Sequence, residues 1–247
     1  MRVLILGGTT EARHLAERLA DGKGVAVTLS LAGRTATPVG TPVPLRIGGF
    51  GGARGLADYL AAESIGAFVD ATHPFAVQIS CNAIEAARLA NVRLLVLRRP
   101  PWIEQEGDRW QQVGTMTEAT CELGELPRRV FLAVGRKELA PFVAAPQHHY
   151  VIRSVDPIAP PLELPSAEYL TMRGPFRAED ERALLKGRRI DILVSKNSGG
   201  DAGYGKIAAA RALAIPVVML RRPALPAAQA VETVEEALVW LAHAGQP

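Results

Sequence analysis

Cysteine is nearly absent from this sequence of 247 residues, which contains only Cys81 and Cys121. The two residues have neither C-x-x-C spacing nor a histidine neighbour, so the sequence offers no recognisable metal site. We expect no bound metal and two reduced thiols that are buried in the protein. Aromatic residues are also few, at 5% of the chain, and no basic patch is interleaved with them. Nucleic acid is therefore not an expected partner.

The chain also lacks a large charge excess and a long apolar run. Its 28 Lys and Arg residues and 25 Asp and Glu residues give a formal net charge of +3, which is too small to indicate a polyanionic polymer as partner. No apolar run approaches the roughly 18 residues of a membrane-spanning helix. The N-terminal residues Met1-Arg2-Val3 lead directly into an apolar strand without a basic leader. These features predict a cytoplasmic protein without a membrane association.

Apolar runs of strand length alternate with helical periodicity, which predicts an α/β fold with parallel sheets and crossover helices. The pattern starts again after Pro127-Arg128-Arg129. We therefore predict two Rossmann-like lobes, 1–126 and 127–247, with a ligand cleft between them. The predicted strands cover residues 3–6, 25–30, 45–47, 67–70, 94–98, 110–113, 130–134, 149–152, 169–172, 190–194 and 216–220. The predicted helices cover residues 10–20, 53–63, 75–90, 117–123, 177–186, 204–213 and 233–243.

The first predicted strand ends at a glycine turn that opens a helix. Compared with the dinucleotide fingerprint G-x-G-x-x-G/A, Gly7 has the tight-turn position and Ala12 the position where the helix packs on the strand, but Thr9 replaces the second glycine. Gly8 still lets the backbone approach a phosphate, and the Thr9 and Thr10 hydroxyls add donors. The alternative is a plain strand-to-helix turn with Thr10 as N-cap.

The end of the second predicted strand selects between the two nicotinamide coenzymes. Sites specific for NAD usually have an Asp or Glu there, whereas sites specific for NADP replace it with Arg and small hydroxyl residues. This chain has no acid at that point and offers Ser30, Arg34 and Thr35. A guanidinium binds a phosphate through paired, charge-assisted hydrogen bonds. We therefore predict NADPH, with Arg34 as a solvated loop charge as the alternative.

Polar residues follow a third strand at Asp70-Ala71-Thr72-His73-Pro74-Phe75. Pro74 excludes the helical conformation at His73 and suits the first turn of the next helix. Thr72 and His73 are therefore presented at the carboxyl end of the strand, on the nicotinamide side of a Rossmann-like lobe. His73 is either a donor of a proton or hydrogen bond, or a helix cap and packing group.

The second half of the chain carries two candidate anion sites. Arg136 and Lys137 follow a buried strand and form either a clamp for carboxylates or phosphate, or a solvated surface. The segment from Ser195 to Lys206 follows another buried strand and is rich in glycine. It contains G-x-x-x-x-G-K, but Ile207 stands where a P-loop needs Ser or Thr, which weakens a nucleoside triphosphatase interpretation. A glycine-rich anion cradle with Lys196 and Lys206 explains the same residues.

The sequence resembles the precorrin-6A reductase family of cobalamin biosynthesis in four segments that span nearly the whole chain. They are Gly7-Gly8-Thr9-Thr10-Glu11-Ala12-Arg13, Asp70-Ala71-Thr72-His73-Pro74-Phe75-Ala76, Gly135-Arg136-Lys137 and Lys196-Asn197-Ser198-Gly199-Gly200. The resemblance implies an NADPH-dependent enzyme that reduces one double bond of a corrin-ring precursor, with hydride transfer to C19 and proton addition at C18. It also implies two Rossmann-like lobes with the tetrapyrrole between them.

The motifs and the resemblance together predict three sets of site residues. The predicted cofactor-binding residues are Gly7, Gly8, Thr9, Thr10, Glu11, Ala12, Ser30, Arg34, Thr35 and Thr72. The predicted residues for the substrate, a tetrapyrrole polycarboxylate, are Arg13, Arg136, Lys137, Lys196, Ser198, Gly199 and Lys206. His73 and Lys196 are the predicted catalytic residues, and the proton donor stays open between His73, Lys196 and water. A non-catalytic module that binds NADPH or tetrapyrrole is the alternative function, and we also expect transient contacts with other enzymes of the pathway.

Overall fold

The structure is a computed structural model, and it describes residues 1–22, 24–33 and 40–244. Arg34 and Thr35, two of the predicted cofactor residues, lie outside the described residues. The strands are β1 (Arg2–Leu6), β2 (Ala26–Leu31), β3 (Leu45–Ile47), β4 (Ala67–Asp70), β5 (Arg93–Leu97), β6 (Trp110–Val113), β7 (Arg129–Ala133), β8 (His149–Ser154), β9 (Ala167–Thr171), β10 (Ile192–Lys196), β11 (Val217–Leu220) and β12 (Ala230–Val231). The helices are α1 (Thr10–Ala20), α2 (Gly52–Ala62), α3 (Val77–Ala90), α4 (Met116–Cys121), α5 (Ala178–Gly187), α6 (Gly205–Ala212) and α7 (Val234–Ala244), with 3₁₀ helices at Arg136–Glu138 and Ala140–Ala144.

Every strand and helix predicted from the sequence is present, with ends displaced by no more than two residues. Strand β12 and the two 3₁₀ helices were not among the predicted elements. A two-residue strand has too few residues to show a periodicity, and a 3₁₀ helix has a different period from the α-helix. These elements therefore have no pattern that a sequence analysis could detect.

The strands form two sheets of six strands each. Their orders are β12-β5-β4-β1-β2-β3 and β6-β11-β10-β7-β8-β9, and the paired strands run parallel. Counted from β1, the first order follows the Rossmann pattern 3-2-1-4-5-6, with β12 as the sixth strand. Counted from β7, the second order matches it in positions 3-2-1-4-5, and β6, which precedes β7 in the chain, has the sixth position. The predicted α/β class with two Rossmann-like parallel sheets is therefore confirmed. The strand order reverses beside β1 in the first sheet and beside β7 in the second. Ligands bind such sheets at the carboxyl ends of the strands at this reversal.

Alternation along β1 shows how the first sheet buries both of its faces. Val3 and Ile5 belong to a core that includes residues of α1 and α7, whereas Leu4 and Leu6 belong to a core that includes residues of α2 and α3. A parallel strand covered by helices on both faces needs apolar residues at every position. This requirement explains the continuous apolar run of β1.

The chain divides into two compact units, and the division differs from the predicted one at 126/127. The first unit comprises Met1–Pro100 and Pro223–Pro247, and the second comprises Pro101–Arg222. Strand β6 precedes the predicted boundary but pairs with β11 in the second sheet, and β12 lies far along the chain but pairs with β5 in the first sheet. Which sheet an edge strand joins depends on non-local hydrogen bonds that leave no local sequence signal.

The expectation that both cysteines are buried was wrong. Both are free, but Cys81 is half-buried and Cys121 is exposed. Cys121 ends the short helix α4, whose buried positions are Ala119 and Thr120. Among the described residues, no group of three His, Cys, Asp or Glu side chains is arranged to hold a metal ion. No helix in this part of the chain combines the length and the apolar character needed to cross a membrane.

Helix α7 has one side in the core of the first unit and one side exposed to solvent. Shortening a side chain should therefore be costly on the first side and nearly neutral on the second. Leu241 is 3% exposed and lies in the core shared with α1, whereas Val239 is 58% exposed. We expect Leu241→Ala to lower the free energy of unfolding by about 2–5 kcal/mol, since it leaves a cavity. Val239→Ala is the control and should change it by less than about 0.5 kcal/mol. Equal losses in urea denaturation would contradict the placement of α7.

Candidate functional site

The turn after β1 is shaped by its close approach to β2. The Gly7 N–H donates to the carbonyl of Ser30 at 2.8 Å. A Cβ atom at Gly7 would lie 2.6 Å from Cδ1 of Leu29, 3.2 Å from Cδ2 of Leu31 and 3.5 Å from Cβ of Ala12. A side chain therefore has no room at this position, and Ala12 is small enough to let α1 pack against it. Both residues have the packing roles that the fingerprint predicts.

Gly8 leaves the backbone of the turn open to a ligand. Its φ angle is +124°, a conformation that favours glycine, and a Cβ atom there would meet nothing within 4 Å. Helix α1 begins two residues later, and the first N–H groups of a helix have no acceptor within the helix. The turn therefore offers open backbone and a helix N-terminus together, which fits an anionic group of a coenzyme.

Thr9, and not Thr10, is the N-cap of α1. Its Oγ1 accepts a hydrogen bond from the Ala12 N–H at 3.1 Å and donates to the Ala71 carbonyl at 2.8 Å. The single hydroxyl proton of Thr9 is therefore used to connect α1 with the segment after β4, and it is not available as the predicted additional donor to a phosphate. Thr10 is the first residue of the helix and is exposed.

Glu11 and Arg99 form an ion pair beside the start of α1. The distance from Arg99 Nη1 to Glu11 Oε2 is 2.5 Å, and the two side chains are only 15% and 23% exposed. Arg99 follows β5, so this pair connects two neighbouring regions of the carboxyl edge of the first sheet. Glu11 thus has a structural partner within the protein. As a carboxylate it only accepts hydrogen bonds, and its cofactor-binding role stays a prediction.

A buried carboxylate organises the segment after β4. Asp70 Oδ1 accepts from the backbone N–H and from Oγ1 of Thr72, at 3.1 Å and 2.6 Å, and Oδ2 accepts from Ser80 Oγ at 2.5 Å. The Arg98 guanidinium lies 4.0 Å from the same Oδ2. The predicted cofactor residue Thr72 is buried and its hydroxyl proton is donated to Asp70. Its side chain therefore supports the loop.

His73 is half-buried at the start of this loop. Its Nδ1 accepts a hydrogen bond from the Phe75 N–H at 3.2 Å, and its carbonyl accepts from the Ala76 N–H at 2.7 Å. Because Nδ1 acts as an acceptor, the proton of the neutral ring lies on Nε2. Nδ1 thus stabilises the turn, which is the cap and packing alternative from the sequence, and the role of His73 as a donor of a proton or hydrogen bond stays a prediction.

Arg46 adds a cation at the ends of β2 and β3 that the sequence analysis missed. It is paired in register with Ser30, and its Nη1 lies 3.4 Å from Ser30 Oγ. Ser30 itself is only 4% exposed. A register pair places both side chains on one face of the sheet. The detectable signal was a charged residue inside the otherwise apolar run Leu45-Arg46-Ile47.

The second unit gathers its predicted basic residues at the carboxyl ends of β7 and β10. These strands are neighbours, with Ala133 in register with Ser195. Lys196 Nζ forms an ion pair of 2.9 Å with Glu138 Oε1, which lies on the 3₁₀ helix Arg136–Glu138. Arg136 and Lys137 on the same helix are exposed. The structure therefore brings Lys196 close to the segment that carries Arg136 and Lys137.

Trp102 and Arg222 hold the glycine-rich loop after β10. The Asn197 amide exchanges hydrogen bonds with the backbone of Trp102, at 2.7 Å and 2.9 Å, and the Trp102 indole N–H donates to the Gly200 carbonyl at 2.9 Å. Arg222 donates to the carbonyls of Asn197 and Ser198 at 2.9 Å and 3.0 Å. Gly199 has a φ angle of +67°, in the region that favours glycine. Trp102 and Arg222, which the sequence analysis did not select, therefore hold this loop in place.

The prediction that Lys206 points toward the substrate disagrees with the structure. Lys206 is 7% exposed, its Nζ donates to the Gly203 carbonyl at 2.7 Å, and it lies 4.7 Å from the centre of the Trp102 ring. Its charge stabilises the loop through a carbonyl and a cation–π contact. Ile207 lies in the apolar core. The P-loop alternative therefore lacks both an accessible lysine and a hydroxyl.

Comparison with known proteins identifies the family. Residues 2–242 match the family described as Precorrin-6x reductase CbiJ/CobK. The chain belongs to this family. The resemblance predicted from four short segments, and the prediction of a reductase, are thereby confirmed.

Members of this reductase family are similar to the chain along almost its whole length. A precorrin-6A reductase from Sinorhizobium sp. is 55% identical over 98% of this chain and 93% of its own length. A cobalt-precorrin-6A reductase from Salmonella typhimurium is 29% identical over 90% of this chain and 87% of its own length. The solved structure of a CobK precorrin-6A reductase has a TM-score of 0.96 at 48% identity and covers 99% of this chain and 97% of its own. The chain therefore has the same fold as this solved member of the family.

Thr9 provides a test of the turn in this reductase-family protein, and Thr10 is its matched control. Thr9→Val keeps the shape of the side chain but removes the helix cap and the bond to the Ala71 carbonyl. We expect it to lower the free energy of unfolding by about 1–3 kcal/mol. Thr10→Val should cost less than about 1 kcal/mol, because that residue is exposed within the helix. Urea denaturation of both variants measures the difference, and a larger loss at Thr10 would show that the cap is assigned to the wrong residue.

Proposed function

We propose that the protein reduces a double bond of precorrin-6A with NADPH, as a step in cobalamin biosynthesis. The proposal rests on the match to precorrin-6A reductases over nearly the full length of the chain. The identity is 55% to the Sinorhizobium protein and 48% to the one from Rhodobacter capsulatus. The identity falls to 29% and 28% for cobalt-precorrin-6A reductases. This difference supports the metal-free macrocycle as the preferred substrate.

The turn after β1 fits NADPH, because it combines the packed Gly7, the open Gly8 and the start of α1. In our proposal the backbone N–H groups of residues 8–11 hold the coenzyme diphosphate. The N–H groups of Gly7 and Ala12 on either side already donate to the Ser30 carbonyl and to Thr9 Oγ1. Arg99, oriented by Glu11, lies on the same edge of the sheet and contributes positive charge. When bound, NADPH supplies the hydride that the macrocycle accepts at C19. The protein's own residues must bind and orient the coenzyme and the macrocycle, and must provide the proton.

The second unit contributes cations for the substrate carboxylates. Arg136 and Lys137 are exposed, and Lys196 is held by Glu138 at 2.9 Å. A side chain that is already oriented loses less conformational entropy when it binds a carboxylate. Ser198 and Gly199 follow Lys196 in the same loop, and Arg13 on α1 forms an exposed ion pair with Glu17 at 3.6 Å. Lys206 is not part of this set, because its ammonium group donates to the Gly203 carbonyl within the loop.

His73 is our candidate for the donor of the proton that is added at C18. The carboxyl end of β4 lies on the nicotinamide side of a Rossmann-like sheet, and the Asp70 network holds the segment that carries His73. The ring proton lies on Nε2, opposite the nitrogen that accepts from the Phe75 N–H. Lys196 pairs with the Glu138 carboxylate, and we assign it to the binding of the macrocycle.

The direct test is anaerobic incubation of the protein with precorrin-6A and NADPH. We expect the visible spectrum of the macrocycle to change together with the loss of reduced-nicotinamide absorbance, in equal molar amounts. NADH and cobalt-precorrin-6A should each give slower turnover. Binding of both ligands without any NADPH oxidation would indicate a non-catalytic binding module and would disprove the proposal.

The roles of His73 and Lys196 predict different kinetic defects. His73→Gln keeps an acceptor near the Phe75 N–H but cannot donate a proton as an acid. It should lower kcat by about 10²- to 10⁴-fold and leave the NADPH dissociation constant unchanged. Lys196→Met should mainly raise KM for the macrocycle, by about 10- to 100-fold, since a charge-assisted hydrogen bond is lost. Steady-state kinetics and NADPH titration distinguish the two. A normal kcat in His73→Gln would assign the proton to another donor.

A location in the cytoplasm and transient contacts with neighbouring pathway enzymes complete the proposal. Support for the location comes from the coenzyme, which a biosynthetic reductase draws from the cytoplasmic pool. Cell fractionation with an antibody against the native protein tests it. Recovery in a membrane or secreted fraction would contradict it.

A further inference from the structure

Arg46 lies near the carboxyl end of β2, the part of a Rossmann-like sheet that recognises the adenosine ribose. It is on β3, in register with Ser30 of β2, and β2 lies directly beside β1 and its glycine turn. In this fold the ribose of the adenosine half is recognised at the carboxyl end of the second strand, by an acid for NAD or by a nearby arginine for NADP. Arg46 is therefore at the adenosine side of the sheet, on the other side of β1 from His73.

The Arg46 guanidinium is held in one orientation by groups that carry no charge. Nη1 donates to the Gly48 carbonyl at 2.7 Å, and Nη2 donates to the Gly49 carbonyl at 2.8 Å. The guanidinium carbon lies 3.7 Å from the centre of the Phe50 ring and 5.1 Å from that of Tyr59. A planar group fixed on an aromatic ring is preorganised for binding a planar or bidentate partner.

The charge of Arg46 has no counterion within residues 1–22, 24–33 and 40–244. The ion pairs among these residues involve other cations, such as Arg99 with Glu11 and Lys196 with Glu138, and none includes Arg46. A half-buried cation without a carboxylate partner favours an anionic ligand. The guanidinium has five N–H donors, and its hydrogen bonds in this structure, to Ser30, Gly48 and Gly49, use only part of them.

We infer that Arg46 recognises the 2′-phosphate of the coenzyme and thereby determines the preference for NADPH over NADH. The inference rests on the proposed function, because it assumes that the first unit binds a nicotinamide coenzyme. Ser30 is buried and acts as a positioning residue, since its hydroxyl contacts Nη1 of Arg46. The rings of Phe50 and Tyr59 support the guanidinium in this position.

Calorimetric binding of two small nucleotides tests the inference without catalysis. Adenosine 2′,5′-bisphosphate and 5′-AMP differ only in the 2′-phosphate. We expect Arg46→Gln to weaken binding of the bisphosphate by about 10- to 100-fold and to leave 5′-AMP binding unchanged, since only a charge-assisted phosphate contact is lost. Arg46→Lys keeps the charge without the planar fork and should give a smaller loss. Arg54→Gln, at an exposed position of α2, is the matched control and should change neither.

The outcomes separate this inference from the proposed function. If Arg46 only stabilises the turn at residues 48–50, both nucleotides will weaken equally in Arg46→Gln, and the inference is overturned. The same follows if the bisphosphate preference persists in Arg46→Gln, or if Arg34→Gln alone abolishes it. If Arg46→Gln does not fold, as judged by circular dichroism, the Arg46→Lys comparison decides. If the unmodified protein binds neither NADPH nor the bisphosphate, the proposed function itself fails.

Discussion

The closeness of β2 to the turn after β1 is the constraint on which the first unit depends. Because the Leu29 side chain occupies the space beside Gly7, residue 7 cannot carry a side chain. The chain leaves β1 at this glycine and enters α1 three residues later, at Thr10. Thr9 then connects the start of that helix to the end of β4 through the Ala71 carbonyl. Three strand ends are held at one point by main-chain geometry and a single hydroxyl group. A ligand at this edge therefore meets a surface that has already adopted its shape.

The charges near both sheet edges follow one principle. Three of these cations are oriented by another part of the protein before any ligand arrives: Arg99 by Glu11, Lys196 by Glu138, and Arg46 by carbonyl groups and an aromatic ring. Preorganised dipoles and charges need little rearrangement when a charged ligand binds, and this reduces the free-energy cost of binding. A flexible polycarboxylate and a coenzyme phosphate both benefit from such fixed partners. The arrangement suits a protein whose chemistry consists mainly of alignment.

The sequence was sufficient to predict strands β1–β11, the seven α-helices and the strand end at which each motif lies, because periodicity and strand-end position are local properties. The same reasoning could not assign Thr9 as the cap in place of Thr10, since adjacent hydroxyl residues have equal propensity and only tertiary contacts distinguish them. Lys206 looked like an anion ligand because its burial against Trp102 depends on a residue about a hundred positions away. Arg46 was missed for a related reason, as its partners come from strand register and from a turn. Distant contacts, and not local patterns, assign individual roles.

The exchange of edge strands affects how the polypeptide reaches its native state during synthesis. The first sheet gains β12 and the covering helix α7 only after residue 244 has left the ribosome, although its first five strands are complete by residue 97. Until then, the apolar face that α7 covers is exposed, and β5 has an unpaired edge. The second unit, by contrast, has all its strands by residue 220. The nascent chain is therefore expected to mature from its middle outward, with the first unit as the last part to close and the one most dependent on chaperone protection.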